Sequence, residues 1–236
     1  MLDIVVPVYN EALNIENCLN ELSRKIAIPF RVMIVYDFHE DNTLPVLETI
    51  KNNYKFQINL VKNNIGRGPL NAIKAGFQAS KSEAVLVLMA DLADDVKIVD
   101  DMYHLFEKGI DIVCGSRYMK GGKHRGGPLL KGILSRYAGI SLHYLTGIPT
   151  KDATNSFKLY SRRVIQIPIE SVGGFELGME LVIKAYFKGY MIAELPSTWR
   201  ERTAGKSRFD MKKWIPQYLK WYMKALKWKY LKNTIT

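Results

Sequence analysis

The sequence predicts an α/β fold in which a mainly parallel sheet is flanked by helices and followed by an amphipathic C-terminal helix. Two observations support this prediction. Short apolar runs alternate with segments of helical periodicity over the first 115 residues, which is typical of βαβ units with right-handed crossovers. A polar cluster also follows each of the first four apolar runs. The 236 residues, 47% of them hydrophobic, are sufficient for one large domain with its own core.

The predicted elements follow in order along the chain. Runs rich in aliphatic side chains predict strands over residues 3–7, 31–36, 56–61, 84–89 and 110–114. Apolar residues three or four apart predict helices between them, over residues 13–25, 44–51, 70–79 and 96–108. The later part is less regular, with a glycine-rich loop at 121–127, helices at 129–145 and 179–188, and a strand at 192–199 that Pro196 interrupts. We expect one domain over 1–210 and a separate tail over 211–236.

Composition excludes some classes of protein. No apolar run approaches the roughly 20 residues of a membrane span, and the first residues have no basic segment typical of a signal peptide. Cys18 and Cys114 lack metal-ligand spacing, so we expect both in the core of a protein from a reducing compartment. The net charge is +11, and residues 206–236 contribute +8 of it, as nine Lys or Arg against Asp210.

The most informative stretch is AVLVLMADLADD at 84–95, an apolar strand that ends at the carboxylate of Asp91. An acid at the carboxyl end of a parallel strand can face a divalent cation and, through it, a phosphate. Asp94 and Asp95 are expected to cap the following helix. The other strands end at Pro7–Glu11, Asp37–Thr43 and Asn63–Gly68, so four polar clusters are expected to meet in one crevice. Each cluster alone is also explained by helix capping and turns. Neither a dinucleotide fingerprint nor a Walker A motif occurs.

Together these motifs resemble a known family. VVPVYNE at 5–11, the segment 37–43, the loop 64–68, MADL at 89–92 and GSRY at 115–118 resemble family 2 glycosyltransferases of the GT-A fold, a Rossmann-like α/β architecture. DATNSFKLY at 152–160, GGFELGMEL at 173–181 and RTAGKSRF at 202–209 resemble the polyprenyl-phosphate sugar transferases of the dolichol-phosphate mannose synthase type. The motifs occur in the same order over about residues 1–210.

The resemblance implies a role for each matched residue. Pro7, Tyr9 and Glu11 would line the nucleoside pocket, and Asp37 would contact the base or the ribose. Asp91, in the family's D-x-D motif, would hold Mg²⁺ or Mn²⁺ on the nucleotide diphosphate. The acceptor phosphate would be faced by Arg117, Lys131 and Ser135. The donor phosphates would be covered by Arg202 and the loop Gly205-Lys206-Ser207.

Two departures from the family pattern affect the metal site. Tyr36 replaces an acid that precedes Asp37 in many members, and Met89 replaces the first acid of D-x-D. Ala93 also stands where related synthases can have a polar residue that helps the metal. A thioether is a poor ligand for a hard cation. Three explanations remain: Asp91, water and the diphosphate hold the metal; Arg117, Lys131 and Arg202 replace part of its charge; or activity is lost. The first two together are favoured.

The implied reaction is attack by a lipid phosphate oxygen on the anomeric carbon of a nucleotide sugar, with inversion. Because a phosphate monoester has a second pKa of about 6, the nucleophile is already an anion and needs no strong base. His39 is therefore expected to be a loop residue. Asp152 either orients an acceptor group or a basic side chain, or is a cap or turn acid. Glu176 and Glu180 either face the sugar or lie on a helix surface.

The tail has the pattern of an amphipathic helix. Trp214, Trp221 and Trp228 recur every seven residues, and Lys220, Lys224 and Lys227 lie on another side. A basic helix with an aromatic face is typical of a helix at a membrane surface, and the alternative is a stripe that packs on the domain. The membrane interpretation is favoured. Some relatives carry transmembrane helices after the catalytic domain, so this chain would reach its lipid peripherally or through a membrane partner subunit.

The sequence therefore predicts a cytoplasmic enzyme, peripheral at the membrane, that moves a sugar from a nucleotide sugar to a polyprenyl or dolichyl phosphate. Mannose is the favoured sugar, and GDP-mannose is the favoured donor. One alternative is a family 2 transferase that uses a UDP-sugar and a saccharide acceptor. Another is a non-catalytic nucleotide-sugar-binding homologue, because the D-x-D motif is degraded. Nucleic acid is not an expected partner, because the basic tail lacks a recognised binding motif.

Overall fold

The computed structural model describes residues 1–172, 174–202 and 211–231. Its strands are β1 (Leu2–Val8), β2 (Phe30–Tyr36), β3 (Gln57–Lys62), β4 (Ala84–Val87), β5 (Ile112–Ser116), β6 (Lys123–Arg125), β7 (Lys158–Ser161), β8 (Ile192–Pro196) and β9 (Thr198–Arg200). Its α-helices are α1 (Ile15–Lys25), α2 (Thr43–Ile50), α3 (Pro69–Ala79), α4 (Val99–Glu107), α5 (Leu129–Thr146), α6 (Arg162–Ile165), α7 (Leu177–Phe187) and α8 (Met211–Tyr230).

Seven strands form one sheet in the order β3-β2-β1-β4-β7-β5-β8. All neighbouring strands in it are parallel except β7, which runs antiparallel to both β4 and β5. The two short strands β6 and β9 pair in parallel as a separate ribbon. The sheet is therefore mainly parallel and flanked by helices, as the sequence predicts.

The core lies in two layers, one on each face of the sheet. Because successive side chains of a strand point to opposite faces, Val5 packs with α3, α7 and α8, whereas Ile4 and Val6 pack with α1, α2 and α4. Gly76 lets α3 approach the sheet closely, since a Cβ there would lie 2.4 Å from Val5 Cγ1. Cys18 and Cys114 are both buried, as expected. Both faces of the central strands are thus covered.

The predicted strand at 192–199 is in fact two strands in two different sheets. Pro196 ends β8 because proline cannot donate to a ladder, and the next residue turns the chain toward the ribbon. There Ser197 N–H donates to the carbonyl of Ser116, and its own carbonyl accepts from Lys123 N–H. Strands β6 and β7 were not predicted, although β7 overlaps the segment 152–160 that carries the family resemblance.

The aromatic stripe of the tail faces the protein, which corrects its assignment to a membrane surface. Trp221 is 1% exposed, its Nε1–H donates to Ser171 Oγ at 3.0 Å, and Trp214 is also buried. Trp228 packs edge-on against Phe187 of α7. Burying these rings removes apolar area from water, which stabilises the packed position of α8.

Lysines of α8 divide between the interface and solvent. Lys224 pairs with Glu170, and Lys184 of α7 pairs with the same carboxylate, so Trp221 lies between two ammonium groups 4.5 and 5.1 Å from its ring centroid. The hydrogen bonds from these two lysines lower the pKa of Glu170 to about 2, and the bond from Lys224 has the larger effect. Lys220 and Lys227 are exposed. Among the helices of the described residues, none has the length and apolar content needed to cross a bilayer.

Candidate active site

Polar segments from most strands of the sheet meet at one edge. The carboxyl ends of β1 to β5 and of β8 lie there because these strands run in the same direction. Strand β7 runs the other way and begins at this edge, so the preceding segment 152–157 reaches it too. Ligands of open α/β sheets bind beyond such an edge. The four predicted clusters are thus brought together, as expected.

The turn after β1 is tied to the end of β2. Asn10 adopts a left-handed φ of 55°, and its N–H donates to Asp41 Oδ2 at 3.0 Å. Glu11 N–H donates to Thr43 Oγ1 at 2.9 Å. Pro7 is buried within β1, and Tyr9 is exposed at the edge. Asp41 is fully buried, so the positions after Pro7 are held by hydrogen bonds to the segment between β2 and α2 and to the first residue of α2.

Asp37 holds the loop that follows β3. Its Oδ1 accepts from Asn63 Nδ2 at 2.7 Å, and its Oδ2 accepts from Gly68 N–H at 2.8 Å. Gly68 has a φ of 111°, which a residue with a Cβ rarely adopts, so the N–H can point at Asp37. The structure places Asp37 at the predicted edge with both oxygens engaged by protein donors. A contact with base or ribose stays a prediction.

Two residues within the quoted segments, Phe38 and Arg67, were given no role by the sequence analysis. Phe38 packs edge-on against Tyr9, with ring centroids 5.1 Å apart, and Arg67 lies 5.6 Å from the Phe38 centroid. Tyr9 is exposed and Phe38 is partly exposed, so this aromatic pair with a guanidinium offers a stacking surface to a planar base. The available signal was that Phe38 is a large apolar residue inside an otherwise polar strand-end cluster.

Asp91 is the only predicted metal ligand, and it is already paired. Its Oδ2 lies 2.5 Å from Arg202 Nη2, and its Oδ1 accepts from Ala93 N–H at 3.1 Å. Arg202 Nη1 also lies 3.8 Å from Glu11 Oε1. The acid is therefore both a turn residue and the partner of a predicted donor-binding arginine.

The two acids behind Asp91 behave differently from each other. Asp95 caps a 3₁₀ turn, Val96–Ile98, by accepting from Lys97 N–H at 3.2 Å, which confirms its predicted capping role. The capping role predicted for Asp94 is wrong. Its buried carboxylate accepts from Asn155 Nδ2 at 3.1 Å instead, and burial raises the pKa of Asp94 to about 6. The reason is the isolated bridge to Trp199, which turns Asp94 away from the helix end.

Arg117 and Asp152 form a buried, bidentate ion pair. Arg117 Nε donates to Oδ2 of Asp152 at 2.7 Å and Nη2 donates to Oδ1 at 2.8 Å, while Thr154 Oγ1 accepts a further bond from Nη2. Burial raises the pKa of Asp152, but the charge and hydrogen bonds of Arg117 outweigh it and hold this pKa below its usual range. Of the alternatives for Asp152, the structure shows that it orients a basic side chain. Two guanidinium nitrogens of Arg117 are bound to Asp152, and a contact of Arg117 with a phosphate stays a prediction.

Lys131 and Ser135 project from α5 toward the same edge. Burial lowers the pKa of Lys131, and the charges of Arg117 and Arg202 lower it further, opposed by Asp91 and Glu201. Ser135 shares a short hydrogen bond with the hydroxyl of Tyr118. Tyr118 was missed by the sequence reasoning, although it is the last residue of the quoted GSRY motif. Five charged groups thus influence one another around Lys131.

Arg202 reaches Asp91 because the ribbon carries it there. Arg200 N–H donates to the carbonyl of Ala93 at 2.7 Å, and Glu201 N–H donates to that of Arg125 at 3.0 Å. The ring of Trp199 stacks on His124 with a 4.6 Å centroid distance, which fixes β9 against β6. Ser207 and the rest of the predicted loop 205–207 lie outside the described residues.

The remaining predicted acids are buried rather than on a helix surface. Glu180 accepts from the N–H groups of Glu170 and Ser171 and from Lys184 Nζ, so it anchors the segment before α7. Glu176 is fully buried where α7 begins. His39 is an exposed loop residue, as expected, with its Nε2 2.8 Å from Lys62 Nζ.

The donors at this edge do not fit a divalent cation held by protein side chains. In the described part of the chain, no group of three His, Cys, Asp or Glu is arranged to hold a metal ion. Met89 offers sulfur and Ala93 offers no ligand atom, while both oxygens of Asp91 are engaged. Hard cations such as Mg²⁺ prefer several oxygen ligands.

An open, mainly parallel sheet with a charged crevice at its carboxyl edge defines the class of nucleotide-binding α/β proteins. Within that class, the chain belongs to glycosyl transferase family 2, whose sequence model matches residues 3–167. The fold is the GT-A architecture that the motifs imply.

Curated relatives are similar over most of the chain. A dolichol-phosphate mannosyltransferase of Pyrococcus furiosus is 25% identical over 96% of this chain, which spans 64% of that relative's length. A polyprenol monophosphomannose synthase of Mycolicibacterium smegmatis is 26% identical over 88% of this chain and 80% of its own length.

Solved structures show the same fold at lower sequence identity. Glucosyl-3-phosphoglycerate synthase from Mycobacterium tuberculosis, in complex with Mn²⁺, UDP and glucosyl-3-phosphoglycerate, has a TM-score of 0.70. It is 15% identical, and the match covers 96% of this chain and 80% of that one. The same synthase with Mg²⁺ and UDP has a TM-score of 0.69. Divalent cations are thus bound with UDP in these structural neighbours.

Proposed function

We propose that this chain transfers a sugar from a nucleotide sugar to a polyprenyl or dolichyl phosphate with inversion, and that the donor is GDP-mannose. One observation carries the proposal: basic side chains from separate elements, Arg202 and Lys131, converge beside Asp91 at the carboxyl edge of the sheet. The names of the two curated relatives support the lipid acceptor and the mannosyl group.

The chemistry requires positive charge more than it requires a base. An oxygen of the lipid phosphate, already an anion near neutral pH, attacks the anomeric carbon, and the bond from that carbon to the diphosphate breaks. Negative charge then develops on the departing nucleoside diphosphate. In this proposal Arg202 and Lys131 would stabilise that charge, and Arg117 and Ser135 would stand on the acceptor side. Pro7, Tyr9, Glu11 and Asp37 would hold the nucleoside.

The outer face of α5 supports a lipid acceptor. Its side chains toward the site are Lys131 and Ser135, whereas apolar side chains elsewhere around the helix are exposed: Leu129, Leu130, Ile133, Leu134, Tyr137, Tyr144 and Leu145. The outward face of α8 adds Ile215, Leu219, Met223 and Tyr230, next to the exposed Lys220 and Lys227. A phosphate site on one side of a helix and an apolar stripe on the other suit an acceptor whose head is charged and whose tail lies in a bilayer.

Peripheral binding at a cytoplasmic membrane surface therefore remains part of the proposal, now through these outward faces instead of the tryptophans. Leu130→Glu with Leu219→Glu should abolish flotation with anionic liposomes. Met191→Glu is the matched control, because Met191 is 58% exposed but lies just before β8 and belongs to neither helix. Equal flotation of all three proteins would refute this attachment. A membrane partner subunit would instead appear as binding only to native membranes.

A transfer assay tests the main proposal. Purified protein is given labelled GDP-mannose or UDP-glucose, polyprenyl phosphate in detergent, and Mg²⁺, Mn²⁺ or chelator. We expect a lipid-linked mannose product, lost in Lys131→Met and kept in Lys120→Met, which removes an exposed charge nearby. Absence of lipid-linked product under every condition would overturn the proposal. The second candidate function, a non-catalytic nucleotide-sugar binder, is motivated by Met89 in place of the first D-x-D acid. Retained nucleotide binding without any lipid-linked product would favour it. A saccharide product from a UDP-sugar would favour the other transferase.

A further inference from the structure

A guanidinium is paired with Asp91, the one acid that remains of the D-x-D pattern. Arg202 approaches Asp91 to 2.5 Å through Nη2 and Glu11 to 3.8 Å through Nη1. The other oxygen of Asp91 is bound to the N–H of Ala93. An incoming cation would have to displace an ion pair in order to bind Asp91, and it would find no second carboxylate of the D-x-D type.

The surroundings of Met89 also disagree with a metal site. Met89 borders a small internal cavity, together with side chains that are mostly apolar: Ile73, Val87, Tyr160, Phe175 and Leu177. An ionised carboxylate in such surroundings would lose hydration without gaining a partner. A methionine packs well in irregular apolar space. Met89 is half-buried over these side chains, so position 89 suits apolar packing beneath the site.

Among the residues that the structure describes, basic side chains, instead of a set of metal ligands, surround Asp91. The pKa of Lys131 is lowered by burial and then by Arg117 and Arg202, and it is raised by Asp91 and Glu201, so Lys131 lies within the electrostatic range of the Asp91–Arg202 pair. The guanidinium of Arg202 matches phosphate oxygens in geometry, and the ammonium of Lys131 supplies a point charge. Asp91 orients Arg202 at the edge of the sheet, where its second nitrogen also faces Glu11.

We infer that Arg202, positioned by Asp91, and Lys131 neutralise the donor diphosphate in place of a divalent cation held by the protein. Nucleotide binding by this chain is then independent of metal. Two of the structural neighbours were solved with UDP together with Mn²⁺ or Mg²⁺. The inference rests on the proposed function, because it assumes that a nucleoside diphosphate enters this edge.

Calorimetry with GDP and UDP tests the inference without relying on turnover. We expect a Kd in excess EDTA within about 2-fold of that in Mg²⁺ or Mn²⁺. Arg202→Met should weaken binding about 10-fold or more under all three conditions, as expected for the loss of one charge-assisted hydrogen bond. Arg202→Lys should recover part of the affinity. Arg200→Met removes an exposed charge from the same ribbon and should leave the Kd unchanged.

The outcomes separate the inference from the proposed function. Binding that Mg²⁺ or Mn²⁺ strengthens more than about 10-fold, and that Asp91→Asn makes insensitive to metal, would overturn the inference. Lipid-linked product that forms only with added metal would also overturn it while supporting the function. Metal-independent binding without product would support the inference against the function, and no binding of either nucleotide would overturn both. Thermal melting of each variant checks that it is folded.

Discussion

Replacing Asp152 by Asn should leave a buried arginine without its counter-charge. Asp152 is fully buried, and Arg117 Nε and Nη2 lie 2.7 and 2.8 Å from its two oxygens. Asparagine has nearly the same shape but can accept through only one oxygen and carries no charge. Removing one partner from a buried ion pair costs about 3–5 kcal/mol, because the other charge stays desolvated. We expect Asp152→Asn to lower the free energy of unfolding by this amount.

Urea unfolding followed by circular dichroism and tryptophan fluorescence measures this effect. The matched control is Glu21→Gln, the same chemical change in an acid that pairs with Arg24 and Lys25 at the surface, where the expected loss is below about 1 kcal/mol. Adding Arg117→Met to Asp152→Asn removes the stranded charge and should restore part of the stability. Equal losses for Asp152→Asn and Glu21→Gln would refute the reasoning.

Three further outcomes are expected. Asp94→Asn should flatten the pH dependence of the free energy of unfolding. Because folding raises the pKa of Asp94 from 3.8 to about 6, the wild-type free energy of unfolding falls by up to about 3 kcal/mol as the pH rises through that window. Urea midpoints at pH 4 and pH 7 would show whether the variant escapes this loss. Trp221→Ala should cost about 3–5 kcal/mol and release α8 from α7, seen as faster proteolysis of the tail, whereas Tyr230→Ala at an exposed position should not. Phe38→Ala should weaken GDP binding about 2- to 10-fold, whereas Phe38→Trp should keep the wild-type affinity. Equal Kd values for wild type and Phe38→Ala, measured by calorimetry, would exclude a base stacked at the Tyr9–Phe38 pair.

The first half of the fold could be predicted from the sequence because each signal there is local. Apolar runs and helical periods give β1 to β5 and α1 to α4 nearly in place, and parallel strands put the polar segments that follow them at one edge without further information. Asp91 at that edge follows from the same logic. The partners of Asp91 do not, since Arg202 is 111 residues away and arrives on a ribbon of two three-residue strands.

The tail shows why an amphipathic pattern alone did not identify its partner. Periodicity shows that Trp214, Trp221 and Trp228 share a face, but it does not show whether that face meets lipid or protein. The deciding contacts come from distant residues, such as Ser171 for the indole N–H of Trp221 and Phe187 for Trp228. Likewise, Asp152 could be assigned to Arg117 only once β7 was known to start at the active edge.

The antiparallel strand β7 also constrains the order in which the chain can fold. Strands β1 to β4 pair among themselves, but β5 and β8 join them only through Lys158–Ser161. Until those residues leave the ribosome, β4 has an open edge and β5 has no neighbouring strand. Both apolar edges therefore stay unpaired while the roughly 40 residues between β5 and β7 are synthesised, which takes a few seconds at ordinary rates. Late, long-range pairing of this kind slows folding and favours aggregation. We therefore expect a chaperone that binds extended apolar segments to bind this nascent chain before β7 joins the two parts of the sheet.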